Sequence, residues 1–293
     1  MCRDKIINLM NCINYFGRPN MRTLIDLCKD MEIDSEDLYE YIEEMVMRGI
    51  TIDTEEPISA LLELIYEKSI IGGKWLLSKG DSYYEILRLL LDNYRYKQAD
   101  ANYIDSINHN ILDAALRTFQ KHINRCYDKG ITIDDMTLDI FELLDEYEMT
   151  SGLNDKNYFG YTILHDLVAG KFVDKIQIDL LNFFIDCGAD LNLGTGIGEN
   201  ALDLSVYGGN DELNIEKIRI IFENSGGGDI EKAFYIYCQR QQYGGENVEI
   251  PLKMIDLFIA NGLQTGNREI RNLLLEYNNI KNIDEVLERL ELL

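Results

Sequence analysis

The sequence predicts an all-α fold, built as an array of stacked helix pairs with a helical cap at each end. Three observations predict the all-α class. The 293 residues include only three prolines, strand-like alternation is nearly absent, and apolar residues recur at helical spacing in segment after segment. Each stretch stops at Gly, Asn or an Asp-rich turn, so we expect about ten or more short helices.

The apolar stripes define the predicted helices. A helix that is apolar along one side must bury that side against another element, because it cannot hide the side alone. A succession of such helices therefore predicts layered packing of helix upon helix. The clearest stripes are Ile86/Leu89/Leu90 with Leu87 and Leu91, Ile140/Leu143/Leu144, Leu180/Phe183/Phe184, Ile218/Ile221/Phe222 and Met254/Leu257/Phe258.

Residues 1–50 are predicted to form the N-terminal cap. Two helices over residues 21–49 are expected to be joined by residues 32–35, with Ser35 as the N-cap of the second helix. The same segment resembles the helix-turn-helix half of a winged-helix domain, which would imply DNA binding. The second helix carries several acidic residues that would repel phosphate, and a cap is therefore favoured over a DNA reader.

A short sequence motif recurs within residues 51–266, the predicted repeat region. In each copy a small polar residue is expected to open a helix, and a leucine follows two positions later. The copies cover residues 59–64, 110–115, 162–167 and 200–205, with leucines at Leu61, Leu112, Leu164 and Leu202. The spacing of these leucines is uneven, which predicts extended helices or insertions between some of the units.

A glycine marks the end of several predicted helices. A second helix is expected after each motif, and it is expected to end at a glycine that adopts a left-handed backbone conformation. A short β-prone segment then follows. These helix-ending glycines are Gly49, Gly130, Gly188 and Gly262.

Residues 157–192 resemble one ankyrin repeat, and residues 198–228 resemble a second. The sequence differs from the family pattern at Asn157, Ile163 and Leu167, where the family prefers Asp, Pro and Ala. The resemblance implies a solenoid of helix pairs and a structural role for His165, which would bond Thr162 and loop backbone. The motif positions are Gly160, Thr162, Leu164, His165, Gly188, Asp190, Asn192, Gly198 and Leu202. Residues 267–293 are expected to form the C-terminal helical cap.

Charge and motif content exclude several classes of function. The net charge of −24 repels nucleic acid and anionic membranes and attracts basic proteins. No motif for catalysis, cofactor binding or metal ligation is found, and the three histidines lack metal-site spacing. We therefore expect a protein that is not an enzyme and needs no cofactor. A cytoplasmic location is expected, because no apolar run of about 18 residues or signal peptide is found.

The remaining hypothesis is a protein-binding module with a basic protein as its partner. A sharper version is an acidic inhibitor, of the immunity or anti-defence type, that covers a basic surface. Two alternatives are a bacterial or viral effector or adaptor that binds a host protein, and a transcriptional regulator using residues 21–49. Tyrosines and one phenylalanine are candidates for the contact residues. They are Tyr158, Phe159, Tyr161, Tyr207, Tyr235, Tyr237 and Tyr243.

Overall fold

The protein is all-α. The computed structural model describes residues 21–50, 52, 56–72, 74–94, 111–131, 137–209, 211–225, 228–241, 248–276 and 279–291. These residues form fourteen α-helices and two short 3-10 helices. Within them, β-pairing is limited to two isolated bridges, Ile52 with Tyr94 and Val248 with Ile280. The predicted all-α class and the predicted abundance of short helices are confirmed.

The chain divides into two compact units, Met1–Ser151 and Gly152–Leu293. In the first unit, α1 packs on α2, α3 on α4 and α5 on α6. Helices also contact the helix two positions away along the chain. Helix α3 contacts both α1 and α5, and α2 contacts α4. The helices of this unit are α1 Met21–Cys28, α2 Ser35–Met47, α3 Glu56–Gly72, α4 Ser82–Asp92, α5 Ile111–Lys129 and α6 Asp139–Glu146, followed by the 3-10 helix Met149–Gly152.

Two ion pairs fix the direction of α3 relative to α5. Lys121 Nζ lies 3.2 Å from Glu63 Oε1, and one turn further along both helices Arg125 pairs with Glu67. Since both contacts move forward by one turn on each helix, α3 and α5 run parallel.

The second unit contains two rows of helices. One row consists of α7, α9, α11 and α13, and the other of α8, α10, α12 and α14, with each member contacting the next in its row. Consecutive helices α7 and α8, and α9 and α10, also pack together. The helices are α7 Ile163–Ala169, α8 Ile176–Asp186, α9 Ala201–Ser205, α10 Glu212–Asn224, α11 Ile230–Gln241, α12 Leu252–Ala260, α13 Arg268–Glu276 and α14 Ile283–Arg289, with the 3-10 helix Val206–Gly208 after α9.

The four glycines expected to end helices do so. The backbone φ angles at Gly49, Gly130, Gly188 and Gly262 are 83°, 62°, 92° and 109°. In each case the next residue donates its N–H to the carbonyl five residues earlier, for example Ala189 to Phe184 at 2.9 Å. This arrangement satisfies carbonyls that a helix end leaves without partners.

Three predicted details of the helices are wrong. A helix pair was expected between Leu112 and Gly130, but Ile111–Lys129 is one continuous helix, since neither Gly nor Pro interrupts it. Ser59 does not open a helix, because α3 already begins at Glu56. The N-cap of α2 is Asp34, whose carboxylate accepts the N–H of Asp37, and Ser35 is the first helical residue. The cap boundaries after residues 50 and 266 stay predictions.

Candidate protein-binding surface

The loop before α7 is a tight turn that presents two aromatic residues. The Asn157 side-chain oxygen accepts the N–H groups of Phe159 and Tyr161, both at 3.0 Å. The Asn157 N–H donates to the Tyr161 carbonyl at 2.8 Å, and Gly160 takes a φ of 79°. These bonds close the turn on itself, so Tyr158 and Phe159 occupy its tip.

The loop before α9 repeats this turn. Thr195 takes the place of Asn157: its hydroxyl accepts the N–H groups of Ile197 at 3.4 Å and Glu199 at 3.2 Å. Its own N–H donates to the Glu199 carbonyl at 2.7 Å, and Gly198 has a φ of 82°. Ile197 therefore holds the tip position that Phe159 holds in the first loop.

Both turns lead into a capping box. Thr162 caps α7: its hydroxyl accepts the His165 N–H at 3.4 Å, and His165 Nδ1 accepts the Thr162 N–H at 2.9 Å. Asn200 and Asp203 form the equivalent box at the start of α9. Since Nδ1 of His165 is an acceptor, its proton lies on Nε2, which donates to the Leu193 carbonyl at 2.8 Å. The structural role predicted for His165 is confirmed.

Two glycines allow the tips of the two loops to touch. A Cβ atom placed on Gly160 would lie 2.5 Å from the Gly196 nitrogen and 2.8 Å from its Cα atom. A Cβ atom on Gly196 would lie 3.1 Å from the Phe159 carbonyl oxygen. The backbones of the two loops therefore meet at a distance that side chains would prevent.

Three apolar side chains are exposed on these adjoining tips. Tyr158 is 70% exposed, Phe159 68% and Ile197 79%. The rings of Tyr158 and Phe159 contact edge to face, with their centroids 5.3 Å apart. We call these three residues the loop-tip patch. Three exposed apolar side chains on loops whose backbones meet make this patch the candidate contact surface.

The other predicted contact residues have different environments. Tyr161 is half-buried against His165, and Tyr207 is half-buried beneath the Arg240 guanidinium, 3.8 Å from its ring centroid. Tyr235 is exposed on α11. Tyr237, two positions later, is fully buried between aromatic rings of the core, so it offers no contact surface. Tyr243 lies outside the described residues.

The remaining motif positions belong to the turns and the core. Leu164 and Leu202 are buried, and Thr162 is buried beside them. Asn154, in the segment before α7, bonds the backbone just after α8. Its amide donates to the Gly188 carbonyl at 3.0 Å, and its oxygen accepts the Asp190 N–H at 2.8 Å. Asp190 in turn accepts the Asn192 N–H at 2.9 Å.

A buried lysine holds the end of α7. Lys217 of α10 donates to the carbonyls of Val168 at 3.0 Å and Gly170 at 2.8 Å, and it lies 4.8 Å from the Phe172 ring centroid. Burial lowers the pKa of Lys217 to about 7, against the opposing effect of Asp211. Its amine thus stabilises the last turn of a helix from the adjacent row.

Asn214 extends this contact by one helical turn. Its side-chain oxygen accepts the Phe172 N–H at 3.1 Å, and its amide donates to the Phe172 carbonyl at 3.3 Å. Gly208 leaves room for both polar side chains, because a Cβ atom there would collide with Asn214 and Lys217. These contacts connect α10 to the turn between α7 and α8.

Sequence reasoning missed Ile197 and Lys217. Ile197 could have been found by aligning its loop with residues 157–161, since both turns end one residue before a predicted N-cap. Lys217 carried no such signal, because a lysine within a helix is ordinarily exposed.

Neither a metal cluster nor a membrane span is found in the part of the chain that the structure describes. Its His, Cys, Asp and Glu residues form no group of three that could hold a metal ion. None of its helices combines the length and apolar content needed to cross a bilayer.

The N-terminal helices present an acidic surface. The exposed residues Glu36, Glu40 and Glu43 lie about one helical turn apart on one side of α2. This is the helix that a DNA reader would insert into a groove, and its charge opposes phosphate.

The chain matches no protein-family model, and a search of curated proteins also found no match.

Proposed function

We propose that this chain is a protein-binding module that docks a basic partner on the loop-tip patch of its second unit. The observation that carries the proposal is the exposure of Tyr158, Phe159 and Ile197 on two loops that touch. A few side chains near the centre of an interface, often aromatic ones such as tyrosine, commonly contribute most of its binding energy.

We further propose that the second unit is an ankyrin-like solenoid. Support comes from the two rows of helices, in which each helix meets the next but one along the chain. The repeated turn, the capping box that follows it and the glycine after α8 give further support. In solenoids, such repetition builds an extended surface from successive loops and helices.

Charge selects the class of partner. With a net charge of −24, the chain attracts basic proteins over a distance of about 10 Å at ordinary salt. Steering by charge accelerates encounter, while apolar contacts hold the complex together. The sharper proposal is an inhibitor that covers the basic functional surface of its partner. An effector or adaptor acting on a host protein would use the same surface.

The test compares partner capture by the native chain with capture by the double variant Tyr158→Ser/Phe159→Ser. The control is Met47→Ser, which removes an apolar side chain that is 82% exposed but lies in the first unit. We expect the native chain and the control to retain the same basic protein, released by salt, and the double variant to bind it at least about tenfold more weakly.

The captured protein also separates the two versions of the proposal. A nuclease or toxin would favour the inhibitor, and a protein of a eukaryotic host would favour the adaptor. Equal retention by the native chain and the double variant, or a captured partner that is acidic, would overturn the proposed docking surface.

A further inference from the structure

A histidine without hydrogen-bond partners lies in the core of the first unit. His122 of α5 is fully buried, and among the described residues neither of its ring nitrogens has a partner. Its ring stacks on Tyr66 of α3 with centroids 4.9 Å apart and planes inclined by 15°. Trp75 lies against the same tyrosine at 5.2 Å. Helix α6 also packs on α5, and its Phe141 ring contacts the ring of Phe119 on α5 edge to face.

Protonation of His122 would place a positive charge inside this aromatic core. Glu67 and Glu63 of α3 favour the charged ring, while Lys121 and Arg125 of α5 oppose it. Each of these acids is already paired with one of these cations. Burial is the largest influence and lowers the pKa of His122 below its usual 6.5.

Two interactions act on the charged ring in opposite directions. A tyrosine face attracts a cation, and this attraction grows when water is excluded. The free energy needed to remove an imidazolium from water exceeds the attraction of one aromatic face. Among the residues that the structure describes, neither nitrogen of His122 has a hydrogen-bond partner that would compensate. The neutral ring is therefore the form that the folded core accepts.

We propose that the contact between α3 and α5 is an acid-sensitive latch, which holds while His122 is neutral and loosens when its ring binds a second proton. The folded unit binds this proton less readily than the unfolded chain does. Folding stability is therefore complete above about pH 6.5 and is lost as the pH falls below it. The device belongs to the first unit and does not depend on the proposed docking surface.

Trp75 offers a direct readout, because it is the one tryptophan of the chain and lies in the same core. Urea unfolding of the full chain, monitored by the fluorescence emission of Trp75, would be compared at about pH 7.5 and about pH 5.5. Most carboxylates remain ionised at both pH values. For the native chain, we expect the unfolding equilibrium constant to rise by up to about tenfold for each pH unit below 6.5. In His122→Phe, which keeps an aromatic ring without a titrating nitrogen, we expect the share of that rise that comes from His122 to disappear, leaving any share that comes from the buried His165 of the second unit.

His109→Gln is the control, because it removes the other histidine of residues 1–151; His109 itself lies outside the described residues. It should keep the native pH dependence. The latch is refuted if His122→Phe shows the native pH dependence, or if His109→Gln abolishes it. Should His122→Phe fail to fold, titration of the histidine ring signals by NMR decides independently: a His122 pKa below 6.5 supports the latch, and a pKa at or above 6.5 overturns it.

Discussion

The contact between the two loop tips makes a quantitative prediction for Gly160→Ala. Gly160 combines a left-handed φ of 79° with a backbone neighbour that a Cβ atom would meet at 2.5 Å. Gly198 has nearly the same φ, 82°, but open space around its missing side chain. Gly198→Ala is therefore a matched control that shares the backbone strain and lacks the collision.

The cost of each substitution follows from these two differences. An alanine at left-handed φ costs about 1–2 kcal/mol, reduced by about 0.4–1 kcal/mol because alanine stiffens the unfolded chain. Gly198→Ala should therefore cost about 1 kcal/mol. In Gly160→Ala the loops must also separate by about 1 Å to restore ordinary contact, and overpacking of this kind adds about 1–3 kcal/mol. We expect about 2–4 kcal/mol for Gly160→Ala.

Hydrogen exchange measured by mass spectrometry, on peptides covering residues 152–209, would report the opening free energy of this region in both variants. Gly160→Ala should lower it by at least about 1 kcal/mol more than Gly198→Ala does. If the two variants lower it equally, the close approach of the loops contributes nothing to stability, and the shared loop-tip patch loses its structural basis.

Three further predictions concern the second unit. Thr162→Ala should cost about 1 kcal/mol through loss of the α7 N-cap, measured by urea unfolding, and an unchanged midpoint would contradict the capping role. Burial lowers the pKa of His165 below 6.5, so the free energy of unfolding should fall as the pH drops below 6.5. An NMR titration that gives the ring a pKa at or above 6.5 would contradict this. Lys217→Met should cost about 1–3 kcal/mol, because the buried carbonyl of Val168 and the part-buried carbonyl of Gly170 lose their donor. The control Lys253→Met, at a 71% exposed side chain, should stay within about 0.5 kcal/mol, and equal effects in a thermal melt would refute a role for Lys217.

Local signals in the sequence predicted the helix ends more reliably than the helix pairs. Gly188 ends α8 and Thr162 caps α7 because each effect acts over one turn of chain, which neighbouring residues alone can specify. The prediction of a helix pair before Gly130 is wrong, because the repeat pattern was extended to a segment in which no Gly or Pro breaks the helix. Nothing in residues 111–129 forces a break, and the helix continues.

The exposure of the candidate contact residues was predicted only in part. Tyr158 and Phe159 lie at an exposed tip, as a turn between two helices allows. Tyr235 and Tyr237 were equivalent candidates in the sequence, although two residues along a helix point to nearly opposite sides. Only the packing of α11 against its neighbours makes one of them exposed and the other buried.

The sequence by itself determined the helical class, the acidic charge, the helix-ending glycines and the caps Thr162 and Asn200, because spacing, composition and local hydrogen bonds specify them. The tertiary structure decided which polar side chains those helices enclose and which groups they contact. It placed Lys217 against two carbonyls of another row and His122 against Tyr66, partners that lie tens of residues away along the chain. Burial depends on which helix faces meet, and faces meet through contacts that no local pattern encodes.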